Sequence, residues 1–146
     1  MEDYGIIDLF AGPGGLGEGF SRRLNPSGQR AFRIFRSIEK DPSAHATLRL
    51  RAFLRTLDKL PNEYLNYHAG NSDEPDWSSI SKAAWTEASA EALCMELGKP
   101  EVTDVLSDAC DQARRKWGDR TVVIGGPPCQ AYSLAGRSRN KGITGY

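Results

Sequence analysis

Cys129 lies in the run Val122-Val123-Ile124-Gly125-Gly126-Pro127-Pro128-Cys129-Gln130-Ala131-Tyr132-Ser133, where a short apolar stretch gives way to two glycines, two prolines and a thiol. Proline fixes φ and withholds an amide donor, so a cysteine after two prolines is held on a stiff turn, and a nucleophile needs such placement. Cys94 and Cys110 lack that setting and read as small buried hydrophobes. A second chemical stretch lies near the start: Ile6-Ile7-Asp8-Leu9-Phe10-Ala11-Gly12-Pro13-Gly14-Gly15-Leu16-Gly17-Glu18-Gly19-Phe20. It reads as a strand ending in an acid, a glycine turn, and a segment with Leu16, Phe20 and Leu24 at helical spacing. Glycines let a ligand approach the main chain, and a helix start leaves amide donors free. Gly12, Gly14 and Gly17 satisfy the G-x-G-x-x-G pattern of nucleotide-binding turns, and Glu39 stands about twenty residues beyond them. These features also suit an NAD(P)-dependent Rossmann oxidoreductase, which gives no reason for Pro127-Pro128-Cys129-Gln130.

Taken together, the Asp8-Leu9-Phe10-Ala11-Gly12-x-Gly14-Gly15 opening and the Pro128-Cys129-Gln130-x-x-Ser133 site, about 120 residues later, resemble the DNA (cytosine-5) methyltransferase family. The resemblance covers nearly the whole chain. It implies methyl transfer from S-adenosylmethionine to C5 of cytosine in double-stranded DNA, on a base swung out of the duplex. By that resemblance Cys129 is the nucleophile that adds to C6, Pro128 and Gln130 shape its turn, and Ser133 opens a loop that closes over DNA. Arg137 and Arg139 would meet phosphate or the base there, beside Lys141.

For the cofactor, the resemblance assigns Phe10 to the adenine face, Gly12, Gly14 and Gly15 to the methionine side, and Glu39 to the ribose hydroxyls. Ala11, Leu16 and Pro127 belong to the same two motifs and join this set. Asp8 would either approach the ligand's amino group or cap the turn. Two departures from the family pattern stand out: Lys40 takes a position often held by an apolar or aromatic residue, and no Gly-Asp pair marks the acid for the adenine amino group. Glu96 is the candidate for that acid and Asp73 the runner-up. The family's later motifs are not found, so the expectation is residues 1–146 of a catalytic domain, truncated before them. That raises a further alternative, a noncatalytic cofactor-binding half that self-associates through an exposed sheet edge.

The 146 residues carry a formal net charge of zero and an even balance of 19 basic and 19 acidic side chains, so bulk charge does not advertise a nucleic-acid binder. The distribution is uneven. Residues 22–59 hold ten Lys/Arg against three Asp/Glu, while residues 60–119 hold twelve acids against five bases. Ser133 to Tyr146 carries Arg137, Arg139 and Lys141 with no acid, which suits a loop on phosphates or a solvated tail. Three cysteines without C-x-x-C spacing and two histidines argue against a zinc site, and no metal is expected. No membrane-length apolar run is present, and a cytoplasmic protein is the expectation.

The elements that must position these groups follow from pattern. Strands are expected at Tyr4 to Leu9, from Phe32 to Glu39-Lys40-Asp41, and at Thr121 to Gly125, the last without alternation, as for a strand covered on both faces. Ala92 to Gly98 is either a third strand or a helix end. Helices are expected at Gly15 to Leu24, from Asp41-Pro42 until Pro61, at Ser79 to Ala90, and from Pro100 to Trp117; residues 61–79 read as polar and turn-rich. Strands alternating with helices make a Rossmann-like α/β unit with a parallel sheet of order 3-2-1-4. Ligands in such sheets sit beyond the strands' carboxyl ends where the winding reverses, which brings Cys129 near the glycine turn.

Overall fold

In a computed structural model that describes residues 3–128, the chain is a mixed α/β unit with a four-stranded parallel sheet of order β3-β2-β1-β4. The strands are β1 (Tyr4–Leu9), β2 (Phe32–Glu39), β3 (Ala92–Cys94) and β4 (Thr121–Gly125). Helix α1 (Gly15–Ser21) links β1 to β2, and α6 (Pro100–Trp117) returns from β3 to β4. Between β2 and β3 run α2 (Pro42–Thr56), α3 (Asn62–His68), α4 (Trp77–Ile80) and α5 (Lys82–Glu91). The order is that of a Rossmann-like methyltransferase fold. Winding proceeds from β1 outward to β3 and then reverses to β4, so the reversal falls between β1 and β4, which pair from Gly5 with Thr121 to Leu9 with Gly125.

Adjacent residues of β1 feed opposite faces of the sheet. Ile7 is fully buried against Ala113 and Trp117 of α6, with Phe35 and Leu106 beside them. Gly5 lies under the Trp117 ring, where a Cβ would come within 2.3 Å of Cε3. On the other face Asp8 lies close to Gly17 of α1, whose own neighbour is Ile34. The β1–β2 register slips between Ile6 and Ile7, leaving Phe35 as an extra residue.

Two helices form where the sequence pattern predicts a polar, turn-rich linker. Tyr64 and Tyr67 of α3 pack on Trp77 of α4, and Trp77 joins Phe53 of α2 and Ala84 and Ala88 of α5 in one cluster. Aromatic anchors in otherwise polar segments give little periodic signal, and packing on Trp77, itself buried against Phe53 of α2, supplies the stabilisation. Asp41 accepts from the Ala44 amide at 2.8 Å and caps α2, and Ser81 accepts from the Ala84 amide and caps α5. Helix α1 stops at Ser21, short of Leu24, and α2 stops at Thr56, short of Pro61. The strand alternative is the one realised at β3, where Ala92 pairs with Ser37 and Cys94 with Glu39.

Helix α1 is intrinsically weak, since Gly15, Gly17 and Gly19 fall within seven residues and each costs about 1 kcal/mol relative to alanine. Tertiary contacts hold it. Glu18 accepts from Arg55 of α2, whose second nitrogen donates to Glu91 of α5 at 2.6 Å, a half-buried triad joining three helices. Strand β4 departs from expectation: Val123 is 55% exposed, so among the described residues this strand is not covered on both faces.

Candidate cofactor site

The glycine turn is built in a short space after β1. Phe10 takes a left-handed φ of 55°, uncommon for a side-chain-bearing residue, and its ring is 41% exposed. Strain of this kind costs about 1–3 kcal/mol and persists where the surroundings over-determine it. The surroundings here are the Ala11 amide donating to the Ile38 carbonyl at 3.0 Å and the Gly12 amide donating to Glu39 Oε2 at 2.8 Å. Glu39 Oε1 in turn accepts from the Asp41 amide at 2.8 Å. One carboxylate therefore ties the glycine turn to the start of α2. Gly14, at φ 88°, caps α1 so close to α2 that a Cβ would lie 2.9 Å from Leu48 Cδ1.

These residues border a cavity of about 360 Å³ beyond the carboxyl ends of β1, β2 and β3, a volume at the lower end for small-molecule sites. Of the residues singled out by motif, Phe10, Gly12, Glu39, Lys40, Glu96 and Pro128 line it together. Ile38, Met95, Leu97 and Gly126 line it as well, and no sequence motif marked them. The Met95 amide donates to the Glu39 carbonyl at 3.0 Å, which carries the β2–β3 ladder one step past Cys94 and turns this segment along the cavity. Alternation after β3 was the signal that could have found Met95 and Leu97.

Other singled-out residues do not reach the cavity wall. Ala11 is buried with Leu48 and Ala92, Gly14 is buried against α2, and Gly15 and Leu16 line a separate shallow groove along α1. Pro127 is exposed between Gly126 and Pro128, which do line the cavity, and Asp73 lies in the exposed loop before α4. Cys129, Gln130, Ser133, Arg137, Arg139 and Lys141 lie outside the described residues.

Electrostatics separate the acids. Glu96 is bracketed by Lys99 at 3.1 Å and Lys40 at 3.5 Å, and the hydrogen bond from Lys99, then its charge, hold the carboxyl below its usual range. Lys40 thus reaches across the cavity rim to Glu96. Asp8 is 1% exposed, and neither carboxylate oxygen has a hydrogen-bond partner among the described residues. Burial pushes it up to about 6, and the nearby Gly17 amide offsets this only in part. Asp8 packs against Gly17 of α1 and does not line the cavity. Glu91 is pushed up to about 7 by burial, with Arg55 opposing and Glu18 and Glu87 reinforcing.

A pH dependence of stability follows. The folded values of about 6 and 7 exceed the ordinary 3.8 and 4.5, so the folded chain binds more protons than the unfolded chain. The stabilisation is complete below about pH 4 and is lost as pH rises through 6 to 7. Moving from pH 8 to 5.5 is expected to add on the order of 2–3 kcal/mol and several degrees of melting temperature. Asp8→Asn should flatten the part centred near pH 6. Thermal melts across this range check it, and a melting temperature that rises from pH 5.5 to 8 would contradict it.

Fold and cavity together are those of a Rossmann-like α/β unit, consistent with a methyltransferase fold, with the cavity at the sheet's switch point. The chain is similar to the Type II methyltransferase M.Bpa9945I of Bacillus paralicheniformis, with 30% identity over 160 aligned positions, covering 96% of this chain and 34% of that protein. The chain thus spans about a third of the length of this relative. The similarity supports a methyltransferase family. No protein-family model and no solved structure matches the chain. Among the described residues no helix is long and apolar enough to cross a membrane, and no cluster of three or more His, Cys, Asp or Glu could hold a metal ion.

Proposed function

We propose that this chain is the cofactor-binding and nucleophile-bearing part of a DNA (cytosine-5) methyltransferase. The observation that carries the reading is the meeting of its two motifs: Phe10 and Gly12 from one, and Gly126 and Pro128 from the run that holds the other, line a single cavity together with Glu39 at the end of β2. S-adenosylmethionine would supply the methyl group there. The exposed Phe10 ring and apolar Ile38 and Leu97 suit a purine face. Each Glu39 oxygen has used one lone pair on a backbone amide and keeps another for a ribose hydroxyl. Glu96 is the acid available to the adenine amino group, within reach of the same rim.

Cytosine C5 is a poor nucleophile, which is why the reading needs Cys129. Its thiolate adds to C6 of a flipped cytosine, C5 becomes electron-rich and takes the methyl group, and loss of the C5 proton expels the cysteine and restores the ring. Pro128 and Gln130 shape the turn that presents it. Double-stranded DNA is the substrate, met by the stretch from Ser133 through Arg137, Arg139 and Lys141.

Calorimetric titration with S-adenosylhomocysteine, and separately with NADH, tests the reading. Binding of the homocysteine analogue alone supports the methyltransferase site; binding of NADH alone would make the oxidoreductase the better description. Self-association through β4 belongs to the same proposal, since Val123 is exposed there. A clean monomer in sedimentation at tens of micromolar would remove it.

A further inference from the structure

At the amino ends of the strands, opposite the cavity, one acid organises a group of cations. Asp3 Oδ2 accepts from Arg33 Nε at 2.6 Å, Asp3 Oδ1 accepts from Trp117 Nε1 at 3.0 Å, and the Asp3 carbonyl accepts from Arg120 Nε at 3.2 Å. Lys116 lies over the Trp117 ring, with Nζ 4.5 Å from its centroid. A groove of about 590 Å³ opens among these side chains and Arg30. Arg30 also lines an adjoining groove of about 640 Å³ that runs between α1 and α2 past Arg22 and Arg51.

Arg55 in the second groove is committed to Glu18 and Glu91, the exposed Arg22 makes a looser pair with Glu18 at 3.6 Å, and Arg30 donates to the Arg55 carbonyl at 3.1 Å, whereas Arg51 enters no ion pair among the described residues. Asp3 and Glu18 are the only acids lining the two grooves among the described residues. In a chain of zero net charge this is a local excess, not a bulk effect. The cations are strung along two joined grooves instead of converging on one point, which suits successive phosphates of a backbone better than a single anion. The six residues of β1 put roughly 20 Å between this pole and the cofactor cavity.

We infer that this basic pole binds the phosphate backbone of double-stranded DNA, separately from the cofactor cavity and from the Ser133 to Tyr146 stretch. The choice of DNA as the polyanion rests on the function proposed above; the charge geometry does not. The pole would hold a flanking stretch of duplex while the opposite end of the sheet engages the target base.

Fluorescence anisotropy of a labelled duplex of about 20 base pairs, titrated with the 146-residue chain without cofactor at about 50–200 mM KCl, tests this. The triple variant Arg22→Gln, Arg30→Gln, Lys116→Gln is expected to bind at least about tenfold more weakly at 100 mM salt. Its slope of log K against log salt should fall by about 2 to 3, close to 0.9 for each phosphate that is no longer neutralised. The pair Arg22→Gln, Arg51→Gln, which spares the Asp3 hub, should weaken binding at least about threefold with an unchanged melting temperature. The variant Arg137→Gln, Arg139→Gln, Lys141→Gln should retain salt-dependent binding. Wild-type affinity in both pole variants would overturn the inference, as would complete loss of binding in the Arg137 set, an outcome that leaves the DNA reading intact. Binding to vesicles rich in phosphatidylserine with none to the duplex would also overturn it. Failure of S-adenosylhomocysteine to bind would count against the proposed function alone.

Discussion

Changing Glu39 to alanine is expected to raise the dissociation constant for S-adenosylhomocysteine by about a hundredfold, roughly 2.7 kcal/mol. The carboxylate acts twice. Its two oxygens hold the Gly12 and Asp41 amides, each at 2.8 Å, and it is the acceptor proposed for the ribose. A hydrogen bond to a charged group is worth about 1.5–3 kcal/mol, so losing both backbone anchors releases the turn that carries Phe10 before any ligand contact is counted. Glutamine should do nearly as badly as alanine, because its amide nitrogen would face one of two amide donors. Calorimetry with a parallel thermal melt separates the contributions. A melting temperature that falls while affinity changes less than about threefold would mean that Glu39 is only a brace.

Methyl transfer to DNA is expected to stop on replacing Cys129 with serine, with the rate down at least about a thousandfold, as for loss of a covalent nucleophile in other enzymes. Serine matches the thiol in shape, but its hydroxyl has a far higher pKa and is not activated by the means that produce a thiolate. Binding of S-adenosylhomocysteine should stay within about twofold, because the described wall of the cavity, up to Pro128, is unchanged. The assay needs a protein comparable in extent to the Bacillus relative, of which this chain covers 34%. A duplex carrying 5-fluorocytosine, with S-adenosylmethionine present, supplies a second readout: once C5 has taken the methyl group, fluorine stands in place of the proton whose loss would expel the cysteine, so the Cys129 adduct persists and migrates as a covalent complex. The serine variant should form none. Methyl transfer surviving in that variant would remove Cys129 as the nucleophile.

Much of the sheet and its order were legible in the chain. Ile6-Ile7 and Val122-Val123-Ile124 announce strands, Asp41-Pro42 announces a helix start, and Val102, Ala109, Ala113 and Trp117 of α6 repeat at helical steps and are buried as that spacing requires. Helices α3 and α4 were not legible. Tyr64, Tyr67 and Trp77 are too few to make a period, and their reason for ordering the backbone is Phe53, which is distant in sequence. The exposure of Val123 was hidden for the opposite reason: β-branched residues give the same composition whether or not a helix covers them.

The candidate site divides in the same way. Sequence by itself determined the chemical identities: a glycine turn after a strand, an acid closing the next strand, a thiol behind two prolines. These are local properties, since φ, hydrogen-bonding capacity and side-chain chemistry are set by residue type. Tertiary structure decided which of them share a cavity, because only the reversal of winding between β1 and β4 brings Phe10 and Pro128 to one wall. It turned Glu39 from a bare ribose acceptor into the tie between Gly12 and Asp41, and it put Asp8 under α1, away from the cavity wall. It also gathered Arg22, Arg30, Arg33 and Lys116 at one pole of a chain whose charges sum to zero, since charge along a sequence has no direction until the helices and strands give it one.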